Sequence, residues 1–166
     1  MIVDGYNVVC SEVGPYANLA ERDLDAARTR LVADVAAYAH GEMDAVVVFD
    51  GGRNRHSDGA PHDVGGVTVV FSPFGVDADS VIEQQVAQHR HAGDRVTVVT
   101  SDAQTQWTVM GPGIDRLSAS GFTAEIARER GELDDANPSG SKRSTLDARV
   151  DPAVTDRLAR WARGER

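Results

Sequence analysis

The sequence predicts an α/β fold with a mainly parallel central sheet flanked by helices. Short apolar segments alternate along the chain with segments of helical periodicity, and this alternation is typical of β-α-β units. Residues 45–49 read Ala-Val-Val-Val-Phe. Such an unbroken apolar run indicates a strand that is buried on both faces, as the strands of parallel sheets are.

The individual elements follow from periodicity and from turn residues. Strands are predicted at 1–3, 45–49, 67–71 and 95–100, because each of these segments is short and apolar. Helices are predicted at roughly 22–39 and 77–91, over about nine residues from Asp102, from Ser120 or Thr123 to Glu129, and from Asp151 onward. Segments 8–19 and 51–62 have no periodicity, so they are predicted as loops, the second of them flexible.

The chain of 166 residues is long enough for one domain with a hydrophobic core. Residues 134–146 combine polar side chains with proline and glycine, which is the composition of a mobile linker. Val154, Leu158 and Trp161 share one helical face. We therefore predict a domain at 1–133, a flexible linker at 134–146, and a C-terminal helical segment at 147–166 that packs on the same domain.

Composition limits the setting and the partners of the protein. No apolar run is long enough to span a bilayer and the N-terminus lacks a secretory pattern, so no membrane association is expected. The single cysteine, Cys10, predicts a reducing, cytoplasmic setting and a thiol packed in the core. The net charge of −9 is unusual for a nucleic-acid binder, although bound divalent metals would reverse the sign around pocket carboxylates.

Aspartates follow three of the apolar segments, at Asp4, Asp50 and Asp102. Because ligands bind at the carboxyl edge of parallel strands, we expect these side chains to meet in one pocket, where a cation is needed to balance them. Asp79 and Glu83 are four residues apart on a predicted helix and so share a face. Asp77 is a suitable N-cap for that helix, and turn formation is the alternative role for the strand-terminal acids.

Other chemistries lack their motifs. The sequence has no G-x-G-x-x-G, no P-loop, no G-x-S-x-G and no Cys/His set with zinc spacing. Oxygen-ligand chemistry remains, in which Asp4, Asp79 and Asp102, with Glu83 close by, hold Mg²⁺ or Mn²⁺. Such ions polarise a phosphodiester and activate a water for in-line attack.

Two further features bear on a nucleic-acid substrate. Arg53 and Arg55 lie in the loop that leaves the acidic edge, where they are suited to hold a phosphate backbone; a merely solvated loop is the alternative. Trp107 is suited to stack on a base, but a tryptophan in the core or in a pocket wall is commoner, and we expect that arrangement.

The ordered set of these motifs resembles the YacP-like group of NYN domains, which belong to the PIN-like ribonucleases. The resemblance covers nearly the whole chain, including the turn at 111–113 and residues 158–164. The motifs that carry it are Val3 to Asn7, Val47 to Asp50, Ala78-Asp79 with Glu83, and Thr100 to Asp102 with Gln106-Trp107.

The resemblance implies a Rossmann-like PIN fold and a divalent-metal endoribonuclease that acts on single-stranded RNA. It implies mRNA decay as the setting, with the ribosome as a partner in some members. By position, Asp4, Asp79 and Asp102 match the metal-binding catalytic acids, Asn7 and Ser101 match polar pocket residues, and Asp50 and Glu83 match further acids at the same edge. Asp77 departs from the family pattern, which is usually uncharged there.

The leading hypothesis is therefore a metal-dependent endoribonuclease in which Arg53, Arg55, Lys142 and Arg143 steer the RNA backbone. The alternative is a non-catalytic PIN-like module that binds RNA or a protein, because the net charge is acidic and basic residues are few. A phosphotransfer receiver domain is the third interpretation. That fold usually pairs its acids with a lysine after a late strand, and this sequence has none there.

Overall fold

The computed structural model describes residues 1–12, 14–136 and 151–165, with the backbone alone described for 130–136. The strands are β1 (Ile2–Asp4), β2 (Ala45–Phe49), β3 (Pro61–Val64), β4 (Val67–Phe71), β5 (Val96–Val99) and β6 (Ile114–Leu117). The helices are α1 (Gly5–Val9), α2 (Ala17–Arg22), α3 (Leu24–Ala39), α4 (Ala78–Ala92), α5 (Ala103–Thr108), α6 (Ala119–Ala136) and α7 (Pro152–Ala162).

The strands form one six-stranded sheet in the order β3-β4-β2-β1-β5-β6. Every pair is parallel except β3 with β4. β1 occupies the interior, with Val3 opposite Val47 of β2 on one side and Val99 of β5 on the other. The predicted α/β fold with a mainly parallel sheet is therefore confirmed.

Alternate side chains of the strands enter two separate hydrophobic layers, as the period of two in a strand requires. On one face, Val3, Val47 and Val99 pack with residues of α3, α6 and α7, including Leu31, Phe122 and Leu158. On the other face, Ile2, Val48 and Val98 pack against α4 through Ile82 and Val86. The sheet is thus covered by helices on both sides, which explains why its inner strands are apolar throughout.

The sequence prediction missed both edge strands. β3 reads Pro-His-Asp-Val and β6 reads Ile-Asp-Arg-Leu, and most of these side chains are exposed or only partly buried. Charged residues and proline are ordinary at sheet edges, where they prevent pairing with other chains. Neither segment therefore carries the apolar pattern of a strand.

The predicted loop at 8–19 is partly helical, because α1 and α2 occupy its two ends. The predicted loop at 51–62 is irregular only up to Ala60. It is also tied down, since the Asn54 amide donates to the carbonyl of Ala162 at 2.8 Å and the buried Ser57 hydroxyl donates to the carbonyl of Ser72 at 2.7 Å. Cys10 is exposed rather than packed in the core, because α1 ends there and turns its side chain outward.

The C-terminal helix α7 packs against α3, and the Trp161 ring stacks on His62 with 3.9 Å between centroids. Helix α6 continues to Ala136, so positions 134–136 of the predicted linker are helical. Positions 137–146, with Lys142 and Arg143, lie outside the described residues. In the part of the chain that the structure describes, no helix is both long enough and apolar enough to cross a bilayer.

Gly5 makes the turn from β1 into α1 possible. A Cβ atom at this position would collide with the Phe49 ring and lie 3.0 Å from the carbonyl oxygen of Val48. We expect Gly5→Ala to lower the free energy of unfolding by about 1–3 kcal/mol, because overpacking outweighs the gain in helix propensity of about 0.5–1 kcal/mol. Urea denaturation measures the change.

Gly111→Ala is the matched control, since the added Cβ would meet only the end of the flexible Arg90 side chain. Its effect should stay within about 0.5 kcal/mol. Equal stability of the two variants would show that the approach of Gly5 to Phe49 does not constrain the fold.

Candidate active site

A cleft of about 250 Å³ opens at the carboxyl ends of β1, β2 and β5, beside the N-terminus of α4. It gathers most of the acids that the sequence singled out, and they come from separate elements of the fold. The residues that line it are Asp4, Tyr6, Asn7, Asp50, Asp77, Ala78, Asp79 and Asp102.

Asp4 is the most enclosed of these acids, because it ends the interior strand β1 and only 8% of its surface is exposed. Its Oδ1 accepts from the backbone N–H of Asn7 at 3.1 Å, and its Oδ2 accepts from the Thr100 hydroxyl at 3.4 Å. Burial raises the pKa of Asp4 to about 6, and the charges of Asp79 and Asp102 act in the same direction. The ionised carboxylate is therefore costly in this position.

Asp102 and Asp79 are linked through Thr105, which is almost completely buried. Asp102 caps α5, since its Oδ1 accepts from the N–H groups of Gln104 at 2.9 Å and Thr105 at 3.0 Å. These hydrogen bonds hold the pKa of Asp102 below its usual range. The Thr105 hydroxyl donates to Asp79 Oδ1 at 2.6 Å and lies 3.3 Å from Asp102 Oδ1. One hydroxyl thus sets the orientation of one acid beside the other.

Asp77 and Asp50 line the cleft and also serve the local backbone. Asp77 caps α4 by accepting from the N–H of Ser80 at 2.8 Å, and hydrogen bonding with Ser80 lowers the pKa of Asp77. Asp50 accepts from the N–H of Gly52 at 2.7 Å in the turn that follows β2. The capping role predicted for Asp77 is therefore present together with its place in the cleft.

Glu83 and Ser101 do not line the cleft. Glu83 is exposed on α4, one turn farther along the helix than Asp79. The N–H of Ser101 donates to Asn7 Oδ1 at 2.7 Å, and its hydroxyl accepts from the N–H of Ala119 at 2.9 Å. Ser101 therefore supports the cleft indirectly by fixing the Asn7 side chain.

A second groove, of about 620 Å³, adjoins the acidic cleft and shares Tyr6 and Asp50 with it. Arg53 lines this groove together with Asn54 and Arg163 at the end of α7. Arg55 instead holds its guanidinium 5.9 Å from the centre of the Phe74 ring. Lys142 and Arg143, the other two predicted RNA-binding residues, lie outside the described residues.

No role at the site was predicted from the sequence for Tyr6, Thr100, Thr105 or Arg163. Tyr6 borders both grooves, and its hydroxyl accepts from Nε of the buried Arg28 at 3.0 Å. Thr100 is the first residue of the Thr100–Asp102 motif, and Thr105 stands three residues after Asp102, where a capped N–H is expected. Trp107 was expected in the core or in a pocket wall; that expectation is wrong, because 72% of its surface is exposed.

The carboxylates that line the cleft are the candidate ligands for a divalent metal. Within residues 1–12, 14–136 and 151–165, no three histidine, cysteine, aspartate or glutamate side chains are already grouped around one metal position. The donor chemistry nevertheless fits a hard cation, because the cleft is lined by carboxylates. Asp4 is buried beside two like charges, a cost that a cation would offset. The structure therefore contains an acidic cleft of suitable chemistry rather than a formed coordination sphere.

Comparison with known proteins identifies the family. The family model of the YacP-like NYN domain matches residues 1–163. The chain belongs to the YacP-like NYN family. This family has a PIN-like nuclease domain, so membership supports an RNA-related nuclease function and RNA binding. Comparison with curated proteins gives no match.

Two crystal structures of Rae1 (YacP) from Bacillus subtilis share the fold of this NYN domain. A variant with one tryptophan replaced by leucine has a TM-score of 0.67 at 23% identity, over 96% of this chain and 89% of that one. The other structure has a TM-score of 0.60 at 24% identity, over 98% of this chain and 94% of that one. At these identities the likeness establishes the shared fold, and the family-level fold prediction is confirmed.

The pKa of Asp4 predicts how stability depends on pH. Between its ordinary value of 3.8 and about 6, the folded protein keeps a proton that the unfolded chain releases, so stability falls as the pH rises through this window. Asn cannot ionise and still serves as an N-cap. At about pH 8 with EDTA, Asp4→Asn should therefore raise the free energy of unfolding by about 1–3 kcal/mol, a gain that disappears below about pH 4.

Asp102→Asn is the matched control for this measurement. Hydrogen bonds favour the ionised form of Asp102, so its replacement should give no such gain at high pH. Urea denaturation at both pH values tests the pair of variants. A lower stability of Asp4→Asn at about pH 8 would contradict the burial argument.

Proposed function

We propose that this NYN domain is a divalent-metal-dependent endoribonuclease that hydrolyses RNA phosphodiesters at the acidic cleft. The observation that carries the proposal is the convergence of Asp4, Asp79 and Asp102, which belong to β1, α4 and the segment after β5, in one cleft. Membership in a PIN-like nuclease family supports the same reaction class.

Asp4, Asp79 and Asp102 would hold Mg²⁺ or Mn²⁺, and Asp50 and Asp77 add negative charge to the same cleft. When bound, the metal supplies Lewis-acid activation of the phosphodiester and of a water molecule. Glu83 is left out of this proposed ligand set, because it is exposed and does not line the cleft.

The protein's own contribution is to orient the carboxylates before substrate binds. The Thr105 hydroxyl fixes Asp79, and the Thr100 hydroxyl, which accepts from the N–H of Asp102 at 3.1 Å, donates to Asp4. These bonds restrict the rotation of side chains that would otherwise turn away from each other. Residues that orient metal ligands in this way typically affect metal affinity or activity about 10–100-fold.

The substrate in this proposal is unpaired mRNA. The groove beside the cleft contains Arg53 and Arg163, whose guanidinium groups are suited to bind the phosphate backbone. Mg²⁺ or Mn²⁺ in the cleft would also lower the repulsion between RNA and a chain of net charge −9. We extend the proposal to mRNA decay in the cytoplasm, which agrees with the single cysteine, and to the ribosome as a partner on the basis of the family resemblance.

A non-catalytic module that binds RNA or a protein is the second candidate. It is favoured by the absence, within the described residues, of three acids already grouped around one metal position. Titration of purified protein with Mn²⁺ separates the candidates. The nuclease should bind Mn²⁺ in a manner that depends on Asp4, and the module should not.

The direct test is cleavage of a labelled single-stranded RNA with Mn²⁺, with Mg²⁺ or with EDTA. We expect cleavage only with metal. We expect Asp4→Asn to lower the rate by at least about a hundredfold, because losing a metal ligand should reduce activity more than losing a residue that only orients a ligand. Circular dichroism checks that the variant is folded. Unchanged cleavage by Asp4→Asn at equal purity and metal concentration would refute the assignment.

Thr105→Val tests whether cleavage depends on the orientation of the acids as well as on their presence. Valine keeps the shape of the buried side chain but cannot donate to Asp79, so we expect the rate of cleavage to fall about 10–100-fold. Thr108→Val is the control on the same helix, since its hydroxyl donates only to backbone carbonyls of α5, and its rate should remain near wild type. Equal rates for the two variants would remove Thr105 from the site.

A further inference from the structure

Trp107 is the most exposed of the large hydrophobic side chains on the described surface. A tryptophan normally buries about 150–250 Å² on folding or binding, so leaving 72% of this one in water forgoes a large favourable term. It stands on α5, five residues after Asp102, and α5 adjoins the acidic cleft. An exposed aromatic ring in this position is suited to an occupant that presents its own flat face.

Helix α5 holds this ring in place through its neighbours. Asp102 caps the helix, Thr105 is bonded to Asp79, and the Gln106 amide donates to the carbonyl of Thr100 at 2.7 Å. Val109, just after the helix, is buried in the core. Because the residues on both sides of Trp107 are anchored, the backbone that carries the exposed ring loses little freedom when the ring binds.

Arg116 places a positive charge beside the same helix. It lies exposed on the edge strand β6, and one of its Nη groups donates to the carbonyl of Gln106 at 3.4 Å. A guanidinium has five N–H donors, so others remain for a ligand. An aromatic ring with a neighbouring cation is the combination by which single-stranded nucleic acids are bound: bases stack on the ring and the cation contacts the backbone.

The order of the strands indicates where Trp107 lies relative to the cleft and to Arg53. β2 and β5 flank β1 on opposite sides. Arg53 lies in the loop after β2 and Trp107 in the helix after β5, so the segments that carry them follow strands on opposite sides of β1. An RNA strand that contacts Arg53 at one end and Trp107 at the other would cross the cleft.

We infer that Trp107 and Arg116 form a binding site for one unpaired nucleotide of an RNA strand, in which Trp107 stacks on the base and Arg116 contacts the adjacent phosphate. The inference rests on the proposed nuclease function and extends it to the way in which the cleft selects its substrate. In a duplex the base faces are covered by their neighbours, so a flat ring on a fixed helix favours unpaired nucleotides.

Fluorescence of Trp107 tests the stacking independently of catalysis. The chain has two tryptophans, and Trp161→Phe keeps an aromatic ring against His62 while leaving Trp107 as the only tryptophan. In an Asp4→Asn background with Mg²⁺, which prevents cleavage in our proposal, a single-stranded oligouridylate should quench Trp107 saturably. The same strand annealed to oligoadenylate should quench it at least about tenfold less effectively.

Affinity for the labelled oligouridylate, measured by anisotropy in the Asp4→Asn background, tests the two side chains. Trp107→Ala should weaken binding about tenfold to a hundredfold, and Trp107→Phe should restore part of it. Arg116→Gln should weaken binding and lower the salt slope by about one. Met43→Ala is the control. Met43 is another exposed apolar side chain, but it precedes the amino end of β2, whereas the cleft lies at the carboxyl ends of the strands. This variant should bind the oligouridylate like the parent protein.

The inference is overturned if the oligouridylate does not bind, if it binds without quenching Trp107, if duplex and single strand quench equally, or if Trp107→Ala binds as Met43→Ala does. Equal quenching would show that the ring does not select unpaired nucleotides, and unchanged binding by Trp107→Ala would indicate that the exposed ring serves a protein partner or no partner. Cleavage by the wild-type chain without quenching of Trp107 would leave the proposed function intact. Quenching of Trp107 without cleavage by the wild-type chain would support the binding site and contradict the proposed nuclease function.

Discussion

The buried carboxylate of Asp4 is the constraint on which the carboxyl edge of this sheet depends. β1 is flanked on both sides by other strands, so its last residue has little access to solvent. An ionised group in such a position must be held by hydrogen bonds or balanced by opposite charge. The N–H of Asn7 supplies one of these bonds and also begins α1, so the same contact serves the charge and the fold.

The other acids of the cleft are tied to Asp4 by a short series of hydrogen bonds. The N–H of Asp102 donates to the Thr100 hydroxyl, the Thr100 hydroxyl donates to Asp4, and Thr105 joins Asp102 to Asp79. These contacts connect β1, the segment after β5, α4 and α5 without any ion pair among these residues. The acidic cleft is thus built from neutral donors, which leaves its negative charge available to a cation.

The centre of this site could be predicted from sequence because it depends on a simple rule. Asp4 ends one buried strand and Asp102 follows another, and parallel strands end at the same edge of the sheet. The structure departs from the sequence-based expectations where the local pattern carries no information about packing. Glu83 shares a helical face with Asp79, but four residues of helix place it about 6 Å farther along α4, and it does not line the cleft. Trp107 is of a residue type that is usually buried, but it is exposed here, because contacts of its neighbours such as Gln106 fix α5 with this side chain facing outward.

Asp102 has two duties that cannot be separated. Its Oδ1 accepts hydrogen bonds from the N–H groups of Gln104 and Thr105, while the same carboxylate lines the cleft. A cation bound to that carboxylate would withdraw electron density from it and so weaken these hydrogen bonds at the start of a six-residue helix. The exchange of these two amide protons with solvent would therefore report a cation in the cleft even when no RNA is cleaved.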